Sequence, residues 1–286
     1  MTPHSGKPTA LITGASAGLG VEFSRQLAEQ GHNLVLVARD RERLEAAAHE
    51  LENNYSITAE VLAADLTDDA GVAAVVERLS DEARPVEILV NNAGFGLLRS
   101  FEENDIEDEK AHLKLLVETP MVLSHAALKG MLSRRSGKII NVASVAAFLP
   151  RGTYSAAKGW LVAFSRWANL AYSPQGVTVT AVCPGLTHTE FHDRMEMDKS
   201  AAPPWMWLKP DRVVREGLAA SQHGKAVWVP SKRYRIMMAA AQVLPARLTT
   251  GPPEGRGSGD ATQSGSRRSQ PAVGVKQPPR IVSGTP

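Results

Sequence analysis

The sequence contains a single cysteine, Cys183, in 286 residues. One thiol excludes an internal disulfide and a cluster of thiolate metal ligands, and it fits a reducing cytoplasm, where we expect the protein to act. The sequence also lacks any run of ~18 apolar residues, the length that spans a bilayer, and its first residues lack the apolar core of a signal peptide. The net charge is only +2, which gives little attraction for nucleic acid. We therefore expect a soluble globular protein with no transmembrane segment and no nucleic-acid partner.

What the sequence does contain is a regular alternation of strand and helix patterns. Short apolar runs such as "NLVLVA" alternate with longer segments of helical periodicity from residue 9 onward. Such apolar strands are typical of sheets buried on both faces, and the alternation favours parallel strands joined by right-handed crossovers. The sequence therefore predicts an α/β fold, a doubly wound Rossmann-type parallel sheet with helices on both faces. We expect a single domain at 9–248, after a flexible N-terminus at 1–8.

Two segments depart from this alternation. Residues 184–209 form a long segment with Met and Trp that follows the carboxyl end of a strand, the edge at which such sheets bind ligands, so we expect a substrate loop. From Gly251 onward, Gly, Pro and Ser make up half of the residues and no aromatic occurs. This composition buries too little apolar surface to offset the entropy of ordering, which predicts a disordered tail at 249–286.

A glycine-rich turn, "LITGASAGLG", joins the first strand to the first helix. Gly14, Gly18 and Gly20 allow a tight turn and let the backbone approach a pyrophosphate at the helix N-terminus. The same stretch also matches G-x-S-x-G, the nucleophile elbow of α/β-hydrolases, with Ser16 as the nucleophile. A third interpretation is a glycine turn without any ligand. The local pattern does not separate the three, although a nucleophile elbow normally has strands before it.

Two further motifs narrow the choice. "NNAG" (91–94) follows the fourth strand, and Tyr154 and Lys158 form a Tyr-x-x-x-Lys pair at the start of a later helix. With the glycine turn, these motifs resemble those of the short-chain dehydrogenase/reductase family over roughly residues 8–230. The resemblance implies an NAD(P)-dependent oxidoreductase that transfers a hydride between the cofactor and a carbonyl or alcohol. It also implies a homodimer or homotetramer, formed through the two long helices near 105–133 and after Tyr154.

Catalysis is expected from Tyr154, Lys158 and Ser144. A tyrosine hydroxyl can exchange a proton with the substrate oxygen, but its ordinary pKa of about 10 is high for that task. Lys158 lies one turn later on the same helix face, where its charge lowers the pKa of Tyr154 and makes it a better general acid and base. The resemblance adds a bond from Lys158 to the nicotinamide ribose. It also implies that Ser144 hydrogen-bonds the substrate oxygen, although Ser144 could instead cap the strand end.

NADP(H) is favoured over NAD(H) because Arg39 stands at the end of the second strand, where an arginine suits the 2′-phosphate. Alternatively, Arg39 could simply belong to the start of a charged helix. The next residue, Asp40, is acidic. Asp65 resembles the aspartate that contacts adenine, with a helix N-cap as the alternative. Asn91 is expected to stabilise the central sheet. The resemblance implies these further cofactor contacts: Gly14, Ser16, Gly18, Leu19, Gly20, Leu66, Asn92, Ala93, Gly94, Tyr154, Lys158, Pro184, Gly185, and Thr187 or Thr189.

The sequence departs from the family pattern at two positions near the expected catalytic residues. Ser144 and Tyr154 are only ten positions apart, fewer than is common, so the loop between them must be short. Leu116 stands where the family often has an asparagine that helps to hold a water in a proton relay from the lysine. Another group, with Glu118 as the nearest polar candidate, or bulk water would have to complete that relay. These departures leave open an NADP-binding regulator or scaffold with weak or no catalysis.

The substrate is less well defined by the sequence. The apolar segment 205–208 could form a lid for an apolar carbonyl or alcohol, such as a lipid, steroid or ketoacyl chain, or could be ordinary packing. His188 and His192 have a spacing compatible with a metal, but we expect surface or substrate contacts and no metal site. The cationic and apolar segment 233–248 is compatible with contact to a membrane surface or an oligomer partner.

Overall fold

A parallel sheet of seven strands forms the centre of the protein. The structure is a computed structural model that describes residues 6–189 and 203–243. The strands are β1 Thr9–Thr13, β2 Asn33–Ala38, β3 Ala59–Ala63, β4 Val86–Asn91, β5 Gly137–Val142, β6 Val177–Val182 and β7 Val227–Trp228. Most of the predicted N-terminus, residues 190–202 of the predicted loop and the predicted tail lie outside the described residues.

The strands are ordered β3-β2-β1-β4-β5-β6-β7, and every neighbouring pair is parallel. This confirms the predicted doubly wound architecture. The chain begins in the centre with β1, winds outward to β3, and then returns to place β4 on the other side of β1. That reversal opens a crevice at the carboxyl ends of β1 and β4, the usual ligand position in such sheets.

Helices cover both faces of this sheet. They are α1 Gly18–Glu29, α2 Arg41–Tyr55, α3 Asp69–Ser80, α4 Ile106–Leu113, α5 Thr119–Arg134, α6 Gly152–Tyr172, α7 Pro210–Gln222 and α8 Lys232–Val243. One buried cluster lies under α1, α2 and α7 and includes Phe23, Leu27, Leu44, Val214 and Leu218. A second lies under α3, α5 and α6 and includes Val72, Val75, Leu123, Met131 and Ala168. Each large side chain buried in this way contributes about 1.5–3 kcal/mol.

The long helix predicted near 105–133 is interrupted. Between α4 and α5, residues Lys114–Glu118 form a π-helical turn, and Leu116 lies in the middle of it. A π turn inside an α-helix adds a residue to one turn and is frequent at functional sites. The sequence pattern did not indicate this turn.

Exposed apolar side chains occur along the two long helices that were expected to form an oligomer interface. They are Leu113 and Met121 near the π turn, and Trp167 and Leu170 on α6. The oligomeric state stays a prediction. Within the described ranges, no helix is long and apolar enough to cross a membrane.

Candidate active site

The glycine-rich turn after β1 forms a close-packed cradle at the carboxyl edge of the sheet. Gly14 and Gly18 have φ angles of +66° and +55°, in the left-handed region that favours glycine. A Cβ atom on Gly20 would lie 2.0 Å from the carbonyl oxygen of Gly14, which leaves no room for a side chain. Helix α1 begins here at Gly18, and its N-cap residue, Ala17, offers no side-chain hydrogen bond. The first amides of α1 are therefore available to an anion.

Ser16 and Leu19 of the same turn are half-buried. In the part of the chain that the structure describes, no hydrogen bond links Ser16 to a histidine or an acid, as a hydrolase nucleophile would require. Ser16 therefore belongs to the turn, and its geometry gives no support to the nucleophile elbow.

The turn is held to β4 by Thr13 and Asn92. The Thr13 hydroxyl accepts hydrogen bonds from the backbone amides of Asn92 and Ala93, at 2.9 and 3.0 Å. The Asn92 amide group donates in return to the carbonyl oxygens of Thr13 and Gly14, at 2.9 and 3.2 Å. Asn92 thus fixes the shape of the cradle. Sequence reasoning missed Thr13, because nothing local links it to residues so far along the chain.

Asn91 lies one residue earlier and is buried in the centre of the sheet. Its amide nitrogen donates to Asn141 Oδ1 at 2.8 Å and to Ser124 Oγ at 3.2 Å. Asn141 in turn donates to Ser165 Oγ at 2.9 Å. This buried chain of hydrogen bonds ties β4 to β5, α5 and α6, consistent with the stabilising role expected of Asn91.

Arg39 and Asp65 lie together at the ends of β2 and β3. The Arg39 guanidinium is mostly exposed and lies 3.8 Å from the Asp65 carboxylate. Asp40, by contrast, is the N-cap of α2 and accepts a hydrogen bond from the Arg43 amide at 3.1 Å. Of the two neighbours, Arg39 is thus the one whose charged group is turned to the surface beside Asp65.

Asp65 forms a turn of its own and is not the N-cap of α3, so the N-cap alternative was wrong. Its carboxylate accepts hydrogen bonds from the Thr67 amide at 2.9 Å and the Thr67 hydroxyl at 2.7 Å, while the N-cap position belongs to Asp68. Burial tends to raise the pKa of Asp65, but the bonds from Thr67 and the charge of Arg39 outweigh it and lower the pKa. The carboxylate is therefore charged at neutral pH. Leu66 is buried, and its carbonyl oxygen accepts a hydrogen bond from Thr119 at 2.9 Å.

Lys158 is buried against the carboxyl end of β5. Its Nζ donates to the Val142 carbonyl oxygen at 2.7 Å and lies 5.7 Å from the centre of the Tyr154 ring. Burial lowers the pKa of Lys158 to about 8. A Cβ atom on Gly94 would lie 3.9 Å from this Nζ, so the end of β4 and the Tyr-x-x-x-Lys helix meet here.

Ser144 and Tyr154 are joined by a short 3-10 helix, Val145–Phe148, which spans the reduced loop. Ser144 caps this helix, because its hydroxyl oxygen accepts a hydrogen bond from the Ala146 amide at 3.1 Å. Ser144 thus follows the strand end and caps the next 3-10 helix, while its role toward a substrate stays a prediction. The cap uses only the oxygen as an acceptor, so the hydroxyl hydrogen can still be donated to a substrate.

The segment after β6 is fixed by a residue that sequence reasoning missed, Tyr234 of α8. The Tyr234 hydroxyl accepts from the Leu186 amide at 3.1 Å and donates to the Met206 carbonyl oxygen at 3.0 Å. A Cβ atom on Gly185 would lie 2.1 Å from the Tyr234 ring, so only glycine fits there. Tyr234 therefore clamps the first and last described parts of the predicted substrate loop.

The threonines of this segment have different surroundings. Thr187 is buried, and its hydroxyl donates to the Gly185 carbonyl at 2.9 Å. Thr189 lies against the glycine turn, since a Cβ atom on Gly18 would be 3.3 Å from Thr189 Cβ. Of the two, Thr189 is thus the one that lies against the glycine-rich turn. Pro184 contributes its carbonyl oxygen, which accepts from the Val145 amide at 2.9 Å.

The predicted lid residues line a cavity at another place. Trp205, Trp207 and Leu208 border a space of about 740 Å³ with side chains of α7, β7 and α8, and neither Tyr154 nor Lys158 borders it. Leu208 also pairs with the segment after β6, through hydrogen bonds with the backbone of Leu186 and His188 at 2.8 and 3.0 Å. The role of 205–208 as a lid stays a prediction.

No metal-binding group is found among the residues that the structure describes. The His188 ring stacks on Trp207 with ring centres 5.0 Å apart. His192 and its acidic neighbours lie outside the described residues.

Comparison with known proteins agrees with this architecture. The chain matches the short chain dehydrogenase family over residues 8–200. It is 32% identical to the oxidoreductase UcpA of Escherichia coli over 201 residues, which are 68% of this chain and 75% of UcpA.

Two solved structures are similar over most of their length. A short-chain dehydrogenase from Sphingobium yanoikuyae in complex with NADPH has a TM-score of 0.76 and 35% identity, covering 82% of this chain and 93% of the other. The bulky-bulky ketone specific alcohol dehydrogenase from Comamonas testosteroni has a TM-score of 0.72 and 31% identity, covering 83% and 93%. This chain is a member of the short chain dehydrogenase family, an oxidoreductase acting on CH–OH and C=O groups.

Proposed function

We propose that this protein is an NADP(H)-dependent oxidoreductase that interconverts an apolar ketone and the corresponding alcohol, with Tyr154 as the general acid and base. The observation that carries the proposal is the buried Lys158 amine, 5.7 Å from the Tyr154 ring at the carboxyl edge of the sheet. The lysine lies next to Gly94, so the Tyr–Lys pair adjoins the cradle rather than a remote surface.

The residues present fit a dinucleotide. Gly14 and Gly20 keep the cradle free of side chains, and the uncapped start of α1 offers backbone amides to a pyrophosphate. Thr189 lies against the same turn and would add a hydroxyl donor. Asp65 would contact the adenine side. When bound, the nicotinamide supplies or accepts the hydride.

The preference for NADP(H) follows from charge at the end of β2. The Arg39 guanidinium is exposed there, whereas the Asp40 carboxylate is engaged at the N-terminus of α2. A guanidinium stabilises a phosphate strongly, and a carboxylate that is already used as a cap has little capacity left for a ribose diol.

The chemistry of the chain's own residues is then a proton exchange. In the direction of reduction, the Tyr154 hydroxyl gives its proton to the substrate oxygen as the oxygen gains negative charge. The charge of Lys158 stabilises the tyrosinate that remains, and the Ser144 hydroxyl donates a hydrogen bond that holds the substrate oxygen beside Tyr154. With a pKa of about 8, Lys158 can both hold and release a proton near neutral pH.

An apolar and rather bulky substrate is supported by two observations. The Comamonas testosteroni relative is described as specific for bulky-bulky ketones. In this chain the segment between Ser144 and Tyr154 is short and contains the 3-10 helix Val145–Phe148, and a short segment there would leave more room on that side of Tyr154.

The first experiment is a fluorescence titration of the purified protein with NADPH and with NADH. Replacing Arg39 with alanine should weaken NADPH binding by about 10–100-fold, the loss expected for a charged hydrogen bond, and leave NADH binding unchanged. Arg43→Ala is the matched control, because Arg43 pairs with Asp40, the N-cap of α2, at 3.4 Å. An equal loss for both nucleotides would refute the assigned role of Arg39.

Turnover is then measured with NADPH and a panel of bulky aryl and alkyl ketones. Tyr154→Phe should lower kcat by about 100-fold or more while NADPH still binds, and Tyr172→Phe at the other end of α6 should not. Nucleotide binding without turnover on any ketone or alcohol would instead support the alternative of a cofactor-binding regulator or scaffold. Absence of binding would refute both.

A further inference from the structure

A buried histidine, His112, lies beside the proposed active site. It belongs to α4 and is only 1% exposed. Its Nε2 atom has no hydrogen-bond partner among the residues that the structure describes. Leaving a buried polar atom unpaired is costly, so an unpaired ring nitrogen in this position points to a water or ligand partner.

The ring of His112 packs between two aromatic side chains. Its centre lies 6.0 Å from the centre of the Tyr154 ring, with the two planes 31° apart. On the other side it makes an edge contact with Phe95, with ring centres 5.4 Å apart. His112 is therefore a direct neighbour of the proposed general acid.

The charges around His112 come from two elements. Burial has the largest effect and lowers the pKa of His112 below its ordinary value. Glu109, on the same helix, raises that pKa, while Lys158, on α6, lowers it further. The ring is consequently neutral at pH 7, with a proton on one nitrogen only.

The backbone of Phe95 indicates which nitrogen carries this proton. A hydrogen bond from His112 to that backbone favours the protonated ring. Because Nε2 has no partner among the described residues, we assign this interaction to Nδ1 and take Nδ1 as the protonated nitrogen. In this tautomer Nε2 carries a lone pair and is a hydrogen-bond acceptor.

Leu116 lies one turn after His112, and its apolar side chain lies near Gly94 and Lys158. A Cβ atom on Gly94 would lie 3.0 Å from Leu116 Cδ2 and 3.9 Å from Lys158 Nζ, so the three residues meet. Leucine cannot hold a water at that point. In the preceding turn, His112 Nε2 is a buried polar atom without a hydrogen-bond partner among the described residues.

We propose that His112 is a positioning residue of the proton relay, whose Nε2 accepts a hydrogen bond from a water that is also bound by Lys158. The inference rests on the oxidoreductase function proposed above. During reduction, Tyr154 gives a proton to the substrate oxygen and recovers one from the Lys158 ammonium. The water held by His112 passes a proton from solvent to the Lys158 amine. His112 ends each turnover in its starting form, and the hydride and one solvent proton account for the two hydrogens gained by the ketone.

The test combines steady-state kinetics of the full chain with a rescue. We expect His112→Phe to lower kcat about 10–100-fold, with NADPH affinity and melting temperature close to those of the wild type. His112→Gln, which keeps a hydrogen-bonding group, should retain more activity than His112→Phe. The double variant His112→Phe/Leu116→Asn should have a kcat at least about tenfold higher than that of His112→Phe, because an amide at 116 can bind the same water. His49→Phe, at an exposed position of α2, is the control and should change nothing.

A second readout does not depend on the bound nucleotide. In the free protein, the ¹⁵N chemical shift of His112 should report an unprotonated Nε2 at pH 7. A protonated Nε2 would overturn the proposal. So would a His112→Phe variant that keeps its kcat, or one whose loss is not relieved by either Gln at 112 or Asn at 116.

The outcomes separate this proposal from the function on which it rests. If the wild type neither binds NADPH nor reduces any ketone, both the proposed function and the proposed relay are refuted. If the wild type turns over and His112→Phe is equally active, only the role of His112 is refuted.

Discussion

The buried lysine of the candidate site should reduce the stability of the fold, and replacing it should therefore stabilise the protein. Burial lowers the pKa of Lys158 from 10.5 to about 8, which means that the folded protein disfavours the charged amine. The lysine therefore lowers the free energy of unfolding at every pH at which it is protonated in the unfolded chain. Lys158→Met keeps the length and volume of the side chain and removes the charge, so it isolates this cost.

The magnitude follows from proton linkage. Below pH 8 the amine is charged in both states and the cost is complete, about 3 kcal/mol. Between pH 8 and 10.5 the unfolded chain binds more protons, so the free energy of unfolding rises with pH and the cost falls to about 1 kcal/mol at pH 9.5. Methionine also loses the hydrogen bond to the Val142 carbonyl, worth about 1 kcal/mol. Lys158→Met should thus be more stable than the wild type by about 2 kcal/mol at pH 7 and about equal to it at pH 9.5.

Urea unfolding of the nucleotide-free protein at pH 7, 8.5 and 9.5 measures this difference. Lys129→Met, at an exposed position of α5, is the matched control and should stay within about 0.5 kcal/mol of the wild type at each pH. The reasoning is refuted if Lys158→Met is less stable than the wild type at pH 7. It is also refuted if the difference between the two proteins does not change with pH. The stabilised variant should have lost turnover, since the charge that destabilises the fold is the one that acts on Tyr154.

Two more predictions follow from close contacts. Gly20→Ala places a Cβ atom 2.0 Å from the Gly14 carbonyl oxygen, so the turn must move. We expect the free energy of unfolding in urea to fall by about 2–4 kcal/mol and NADPH binding to become unmeasurable. A stable variant that binds NADPH normally would contradict the close packing. Tyr234→Phe removes the hydroxyl that contacts Leu186 and should lower stability by about 1–2 kcal/mol. If that hydroxyl positions the loop for substrate, the variant should raise the KM for ketone with little change in NADPH affinity, whereas equal changes in both would show a general loss of structure.

The sequence pattern predicted the strands and the meeting of the main motifs well, for a physical reason. Each motif directly follows a buried strand, and the carboxyl ends of parallel strands lie on one edge of the sheet. Gly14, Asp65, Gly94 and Ser144 follow four different strands, so the topology alone brings them to that edge.

Side-chain roles that depend on distant contacts were not predictable in this way. Thr13 bonds to residues 79 and 80 positions later, and Tyr234 reaches back across 48 positions to Leu186. Neither contact leaves a local pattern in the sequence. The N-cap interpretation of Asp65 was wrong for a related reason, since an acid before a helix can either cap it or close a turn with the next threonine.

The two departures from the family pattern concern the same side of the site. Leu116 and the shortened loop both lie on the side of Lys158 and Tyr154, while the turn formed by Gly14 and Gly20, on the proposed nucleotide side, leaves no space for a side chain. Taken alone, the leucine would argue against efficient catalysis. The π turn that contains it, however, begins two residues after His112, whose ring lies beside Tyr154 and has an unpaired nitrogen. A missing polar group at one turn of a helix therefore does not imply a missing relay, because the preceding turn of the same helix can supply it.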